Sequence, residues 1–294
     1  MTQLDKRLTP ARADIADERL RGIVDAARFV AGKARTVISP AAPVRREPHG
    51  DAPLDTEALM GEPVTVYDEH DGYAWAQLGT DGYVGYLPSE ALGPAAAAPT
   101  YRVTALRTFI YPGPNLKLPH LGYLSLGAGV TPAEVQSEYV RLSTGGWVYA
   151  EHLGQAGTHV PDYVSVAERL IGVPYLWGGK TSLGLDCSGI VQLSLAMAGI
   201  SAPRDTDMQQ GALGTEVEPT SGLIRGDLVF WRGHVGIMLD EARLLHANGY
   251  HMAVWSEPLA EAEARIREKT FGPITGVRRL ERLGLGAGPR ASAK

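Results

Sequence analysis

Leu20, Ile23, Val24, Ala27, Val30 and Ala31 recur at helical spacing, which lays apolar side chains along one face of an α-helix. The pattern predicts a helix ending near Gly32, within an N-terminal helical segment spanning 1–35. From Thr36 the rhythm changes to short β-branched runs between turns, RTVIS and then EPVTVYDEHDGYAWAQLGTDGYVGYLPSEAL. Asp71-Gly72 and Asp81-Gly82 are hairpin signals, and 36–94 reads as a small β-barrel. PAAAAP at 94–99 reads as a linker. A second copy follows at 99–155: VRLSTGGWVYAEHL (140–153) repeats the order of AQLGTDGYVGYLPSEAL (76–92), polar strand, tight glycine turn, aromatic strand and Glu-x-Leu turn. Two copies are too few for a solenoid, so tandem barrels are expected.

Beyond about Thr158 helical stretches come first (VPDYVSVAERLIGV, CSGIVQLSLAMAGI) and strands after (DLVFWRGHVGIMLDEARLLHANGYHMAVWSEPL). That order predicts an α+β domain over 158–282. The small, polar GLGAGPRASAK leads to the expectation of a disordered tail over 283–294.

Composition narrows the chemistry. The net charge is −5, with 28 basic and 33 acidic residues and no basic cluster interleaved with aromatics, which argues against a nucleic acid partner. No run of about eighteen apolar residues offers a membrane span. The N-terminus lacks the apolar stretch of an export signal, so a cytoplasmic location is expected. Cys187 is the single cysteine of 294 residues, which rules out an intrachain disulfide and a cysteine-based zinc site. No metal or cofactor is expected.

Cys187 lies between Asp186 and Ser188-Gly189, directly ahead of the apolar run Ile190-Val191-Gln192-Leu193. Asp or Ser is a natural helix cap, so Cys187 falls in the first turn, where amides and dipole stabilise a thiolate. A lone cysteine beside apolar residues can equally be a small core side chain. Its polar neighbours and two downstream histidines favour catalysis. His234 and His246 stand twelve residues apart, a separation that fits two antiparallel strands joined by the Asp240–Arg243 turn. A thiol, an imidazole and a third orienting polar group form the general pattern of a cysteine nucleophile.

The ordered series Tyr175-Leu176-Trp177-Gly178-Gly179, Asp186-Cys187-Ser188-Gly189, Pro203-Arg204-Asp205-Thr206, Gln209, Gly226-Asp227-Leu228-Val229-Phe230-Trp231, His234-Val235-Gly236 and His246-Ala247 resembles the NlpC-type cysteine peptidases. These are papain-like enzymes that cut bacterial cell-wall peptides. The upstream part resembles a subgroup with bacterial SH3-like barrels, the γ-D-glutamyl-L-diamino-acid endopeptidases, also called dipeptidyl-peptidase VI. The resemblance implies a multidomain fold class: two small all-β SH3-like barrels followed by an α+β papain-like peptidase domain. It implies Cys187 as nucleophile, His234 as base, His246 as the group fixing the His234 tautomer, and Tyr175 near the oxyanion. On the substrate side it implies Asp186 and, in the first barrel, Glu62 with Tyr86 (Tyr83 the next choice) around a free amino group. Ser188, Arg204, Asp205 and Thr206 join them, Thr206 replacing a family serine. The substrates implied are small murein peptides, L-Ala-γ-D-Glu joined to a diamino acid, met during cell-wall recycling. An amidase or acyltransferase on the same fold, or a peptidoglycan-binding module with a degenerate peptidase domain, are the competing readings.

Overall fold

A computed structural model describes residues 4–218 and 222–281. The expected tail at 283–294 lies outside the described residues.

The N-terminal segment is not an α-helix. It forms a short parallel pair, β1 (Ala16–Asp17) with β2 (Phe29–Val30), around one 3-10 turn at Glu18–Leu20. Gly22 takes φ +80, a conformation that breaks a right-handed helix. The helical periodicity is not used for packing: Ile23 is 63% exposed, whereas Ile15 is buried against Tyr67 and Trp75 of the following sheet. The segment is a strap laid over its neighbour.

That neighbour is a seven-stranded antiparallel sheet of β3 (Lys33–Val37), β4 (Ala41–Arg45), β5 (Leu54–Leu59), β6 (Pro63–His70), β7 (Tyr73–Leu78), β8 (Val84–Pro88) and β9 (Leu92–Pro94), in the order β5-β4-β8-β7-β6-β3-β9. It begins at Lys33, three residues before the expected start at 36. Alternation in β4 and β8 points Val44 and Leu87 into a core shared with Val64, Val66 and Leu78. At the β6–β7 hairpin Asp71 and Gly72 take φ +49 and +79, the left-handed pair that a two-residue type I′ turn needs.

The second β unit holds β10 (Tyr101–Val103), β11 (Arg107–Ile110), β12 (Gly122–Ser125), β13 (Gly129–Val130), β14 (Pro132–Gln136), β15 (Tyr139–Leu142), β16 (Trp147–Tyr149) and β17 (Leu153–Gln155), in three small sheets. Val103, Leu124, Leu142 and Val148 form its core together with Met60 of the first unit. The two units are therefore fused through a shared apolar residue.

In the third unit, α1 (Tyr163–Arg169) is shorter than its sequence pattern suggests. A small hairpin of β18 (Lys180–Thr181) and β19 (Gly184–Leu185) leads into α2 (Cys187–Met197). Then come α3 (Thr206–Ala212), β20 (Thr215–Val217), β21 (Asp227–Trp231), β22 (His234–Met238), β23 (Arg243–Asn248), β24 (Ala253–Pro258), α4 (Leu259–Lys269) and β25 (Ile274–Arg279). The six strands form one antiparallel sheet ordered β20-β25-β21-β22-β23-β24. Helices α1 and α2 cover one face, α4 the other. Nearly all of α2 is buried, Ile190, Val191 and Leu195 completely, at about 1.5–3 kcal/mol of burial energy per large side chain. Both β units grip this helix. Arg102 of the second donates to the Ala196 and Met197 carbonyls at its C-terminus, each at 3.0 Å, where a cation suits the dipole. The first unit holds the N-terminus, as described below. No described helix is long and apolar enough to cross a membrane.

Candidate active site

Cys187 is the first residue of α2, behind Asp186 as N-cap. The Asp186 carboxylate accepts from the Gly189 amide at 2.6 Å and from the Gly178 amide at 2.9 Å. The thiol is 7% exposed and lies 3.8 Å from the Thr206 hydroxyl at the start of α3. The Val235 backbone N–H also points at it, which puts β22 beside the nucleophile.

On that strand His234 begins a relay. Its Nε2 is 2.8 Å from His246 Nδ1, and His246 Nε2 is 2.8 Å from Glu257 Oε1. The hairpin comes from the Asp240 carboxylate accepting the Ala242 and Arg243 amides, and β23–β24 pairing brings Glu257 onto the histidine side. Arg265 of α4 donates to both Glu257 oxygens, one at 2.7 Å. Burial works against the Glu257 charge, but His246 and Arg265 outweigh it and hold the carboxyl down to about 2. An ionised Glu257 can only accept, so His246 carries its proton on Nε2 and presents a bare Nδ1. His234 must then donate from Nε2, leaving its own Nδ1 unprotonated as a base. Phe271 stacks on the His234 ring at 5.4 Å with planes 5° apart, fixing its tilt.

Burial first, then the neighbouring His246 and the Arg265 charge, holds His234 down to about 3. Burial and Asp186 push the Cys187 thiol up to about 11, against the pull of Thr206, the Val235 amide and Arg204. Burial thus favours the uncharged form of both the thiol and the imidazole.

Cys187 opens into a cleft of about 780 Å³ between the first and third units. The third unit contributes Tyr175, Trp177, Asp186, Ser188, Asp205 and Thr206; the first contributes Asp55, Trp75, Tyr83 and Tyr86; the strap contributes Lys6, Arg7 and Arg12. Burial raises the Tyr175 hydroxyl, and the neighbouring Cys187 and Asp186 raise it further. The Tyr83 hydroxyl donates to Asp205 at 3.2 Å, while Tyr86 accepts from Arg12 at 2.9 Å. Ser188 donates to Asp186 and accepts from Arg204.

Two expected substrate contacts, Glu62 and Arg204, are placed otherwise. Glu62 is 7% exposed and away from the cleft, accepting from the Leu59 amide and lying 3.7 Å from Lys180. It follows the Gly61 turn, so it faces the interface beneath β5. Arg204 is 1% exposed and is also absent from the cleft wall; its guanidinium is spent on Asp186 at 2.7 and 2.9 Å, Ser188 at 2.7 Å and Thr56 at 2.7 Å. Asp186 does reach the cleft, where the Arg204 pair and two backbone amides hold both its oxygens. It serves as cap and counter-ion.

Glu257, Arg265, Asp55 and the strap arginines join the site although none stands among the residues expected there. An acid in the apolar strand after a two-histidine hairpin was the available signal for Glu257. Asp55 had none, because only the docking of two units brings it into the cleft of the thiol.

Residues 44–92 match the bacterial dipeptidyl-peptidase SH3 domain and residues 172–265 the NlpC/P60 family. A γ-D-glutamyl-L-lysine dipeptidyl-peptidase of Bacillus cereus is 25% identical over 238 residues, covering 70% of this chain and 71% of the relative. Dipeptidyl-peptidase 6 of Lysinibacillus sphaericus is 30% identical over 128 residues, 44% of this chain and 47% of that one. An NlpC/P60 family protein structure from Bacillus cereus shares the fold, with TM-score 0.70 at 20% identity, covering 84% of this chain and 99% of the other. The chain joins a bacterial dipeptidyl-peptidase SH3 domain to an NlpC/P60 domain, and it is a cysteine peptidase.

Proposed function

We propose that the chain is an endopeptidase that cleaves the γ-D-glutamyl–diamino acid bond of small murein peptides with a free N-terminal L-alanine, in cell-wall peptide recycling. The observation that carries this reading is that Asp55, Asp205 and the Tyr83 hydroxyl line the same cleft as Cys187. Asp55, paired with Arg46 at 2.7 Å, and Asp205, paired with Arg7 at 2.8 Å, are carboxylates that, with the Tyr83 hydroxyl, suit an ammonium group. The relatives' names, γ-D-glutamyl-L-lysine dipeptidyl-peptidase among them, support the same substrate class. We also read residues 99–155 as a second SH3-like barrel, beside 36–94 as the first and 158–282 as the peptidase domain. A cytoplasmic site of action belongs to the same proposal, because released peptides are its substrates.

In this reading the Cys187 proton passes to His234 Nδ1 as sulfur attacks the γ-carbonyl carbon of D-glutamate. The oxyanion is met by the Tyr175 hydroxyl and the Cys187 backbone amide at the start of α2. The C–N bond breaks, the diamino acid leaves with the proton from His234, and a thioester remains. Water, deprotonated by His234, then releases L-Ala-D-Glu and restores the thiol.

The test is release of the diamino acid from L-Ala-γ-D-Glu-diamino acid, with free or acetylated amine. The free peptide should be preferred roughly 100-fold or more, because acetylation removes the positive charge that the cleft carboxylates would accept. Failure to cleave either peptide would sink the endopeptidase reading. Equal cleavage would sink amine recognition alone, and acyl transfer to an added amine in preference to water would assign an acyltransferase.

A further inference from the structure

Strand β5 of the first unit meets the nucleophile's support at two adjacent residues. Thr56 is fully buried and its hydroxyl accepts from Arg204 Nε at 2.7 Å. The other end of the same guanidinium holds both Asp186 oxygens, and Asp186 caps the helix that begins with Cys187. Glu57 accepts from the Lys180 amide at 2.7 Å, fastening the loop that precedes α2. Between them, Gly178 lies so close to β5 that a β-carbon there would sit 2.6 Å from the Leu54 carbonyl oxygen. The strand, the loop and the helix start are in direct contact.

We propose that Thr56 is a positioning residue for catalysis: through Arg204 it aligns the Asp186 cap and so the Cys187 thiol, making the first β unit part of the peptidase machinery. An arginine is a planar fork whose direction is set by its anchored nitrogens. With Nε held by Thr56, the two terminal nitrogens face the carboxylate squarely. Without that anchor the fork can rotate, and Asp186 loses part of its counter-charge beside the thiol. The ionisable groups that act on Cys187 are Asp186, Arg204 and Tyr175, with Asp205 lining the same cleft and acting on Arg204, and His234 next in the chain to Val235, whose amide points at the thiol; of these only the Asp186–Arg204 pair is held by Thr56.

The geometry stands without the substrate reading, and only the turnover arm of the test rests on it. Alkylation of Cys187 by chloroacetamide needs no substrate, and its rate is followed against pH in the full chain carrying Thr56→Val or Thr56→Ser. Valine keeps the shape and removes the acceptor; serine keeps the acceptor. We expect the Thr56→Val profile to move to higher pH by half a unit or more, with kcat down about tenfold, KM within twofold, and Thr56→Ser restoring both. A wild-type profile in Thr56→Val overturns the proposal. So does equal impairment of both variants, or a lower melting temperature with an unmoved profile. Alkylation behaving as expected while no γ-D-glutamyl peptide is cut would leave positioning intact and refute the substrate assignment.

Discussion

At the scale of single residues, the decisive group is Glu257, because it sets the proton positions of two imidazoles in series. Glu257→Gln preserves the shape but not the logic. Arg265 claims the amide oxygen, so the amide NH₂ turns to His246 Nε2 and reverses the tautomer. His234 then carries a proton on Nδ1 and no longer serves as base. The expected loss in kcat is about 100- to 1000-fold, somewhat below the effect of the comparable change in a serine protease triad. A second readout uses stability. The folded pKa of about 2 lies below the ordinary 4.5, so between these values the unfolded chain binds a proton that the native one does not. The carboxylate's stabilisation is complete above about pH 4.5 and is lost as pH falls toward 2. The melting-temperature gap between wild type and Glu257→Gln should therefore narrow from pH 6 to pH 3. A constant gap would show that the charge of Glu257 is not what the fold uses.

At the scale of elements, the N-terminal turn of α2 is pressed against the loop before it. A β-carbon on Gly189 would lie 2.2 Å from the Gly179 carbonyl oxygen. Helix propensity alone favours alanine over glycine by about 1 kcal/mol, and sterics oppose it here with backbone that cannot swing away. Sterics should win: Gly189→Ala is expected to lower the melting temperature by several degrees and kcat at least tenfold, since displacement of a nucleophile by ~1 Å can cost about 100-fold. A more stable, fully active variant would contradict this packing. Such local signals are what the sequence made readable. The Asp-Cys-Ser-Gly helix start, the histidine hairpin and the Asp71-Gly72 turn each rest on residues close in the chain. Glu62 and Arg204 were expected in the cleft on the resemblance alone, and their neighbours across the domain interface, Lys180 and Thr56, engage them away from it. The helix expected at 20–31 failed for a related reason. Its apolar spacing was real, but the strap found its burial in Ile15 against Trp75, and Gly22 turned the chain away.

At the scale of the whole molecule, the cleft exists only because three separate stretches of chain close around one thiol. The strap is the least expected of them, since it lies outside both matched domains. Its Arg7 carbonyl accepts from Val84 of the first unit at 2.7 Å. The Arg7 side chain meanwhile reaches Asp205 at 2.8 Å and Asp207 at 2.7 Å on the third, with Asp5 closing the group. These ion pairs are partly exposed, so they contribute at most about 1 kcal/mol each; their larger effect is on the charge of the cleft. Burial raises the Asp205 carboxyl, and Arg7 is the foremost influence bringing it back down. A guanidinium already shared by three carboxylates has little left for a substrate anion, and it competes with a substrate ammonium for Asp205. Arg7→Ala should therefore leave the melting temperature within about 2 °C and lower KM for the free-amine peptide several-fold at low salt. The gain should shrink as salt screens the exposed acids. A KM that rises instead would mean that Arg7 holds the substrate's own carboxylate, and the strap would then be a recognition element rather than a competitor.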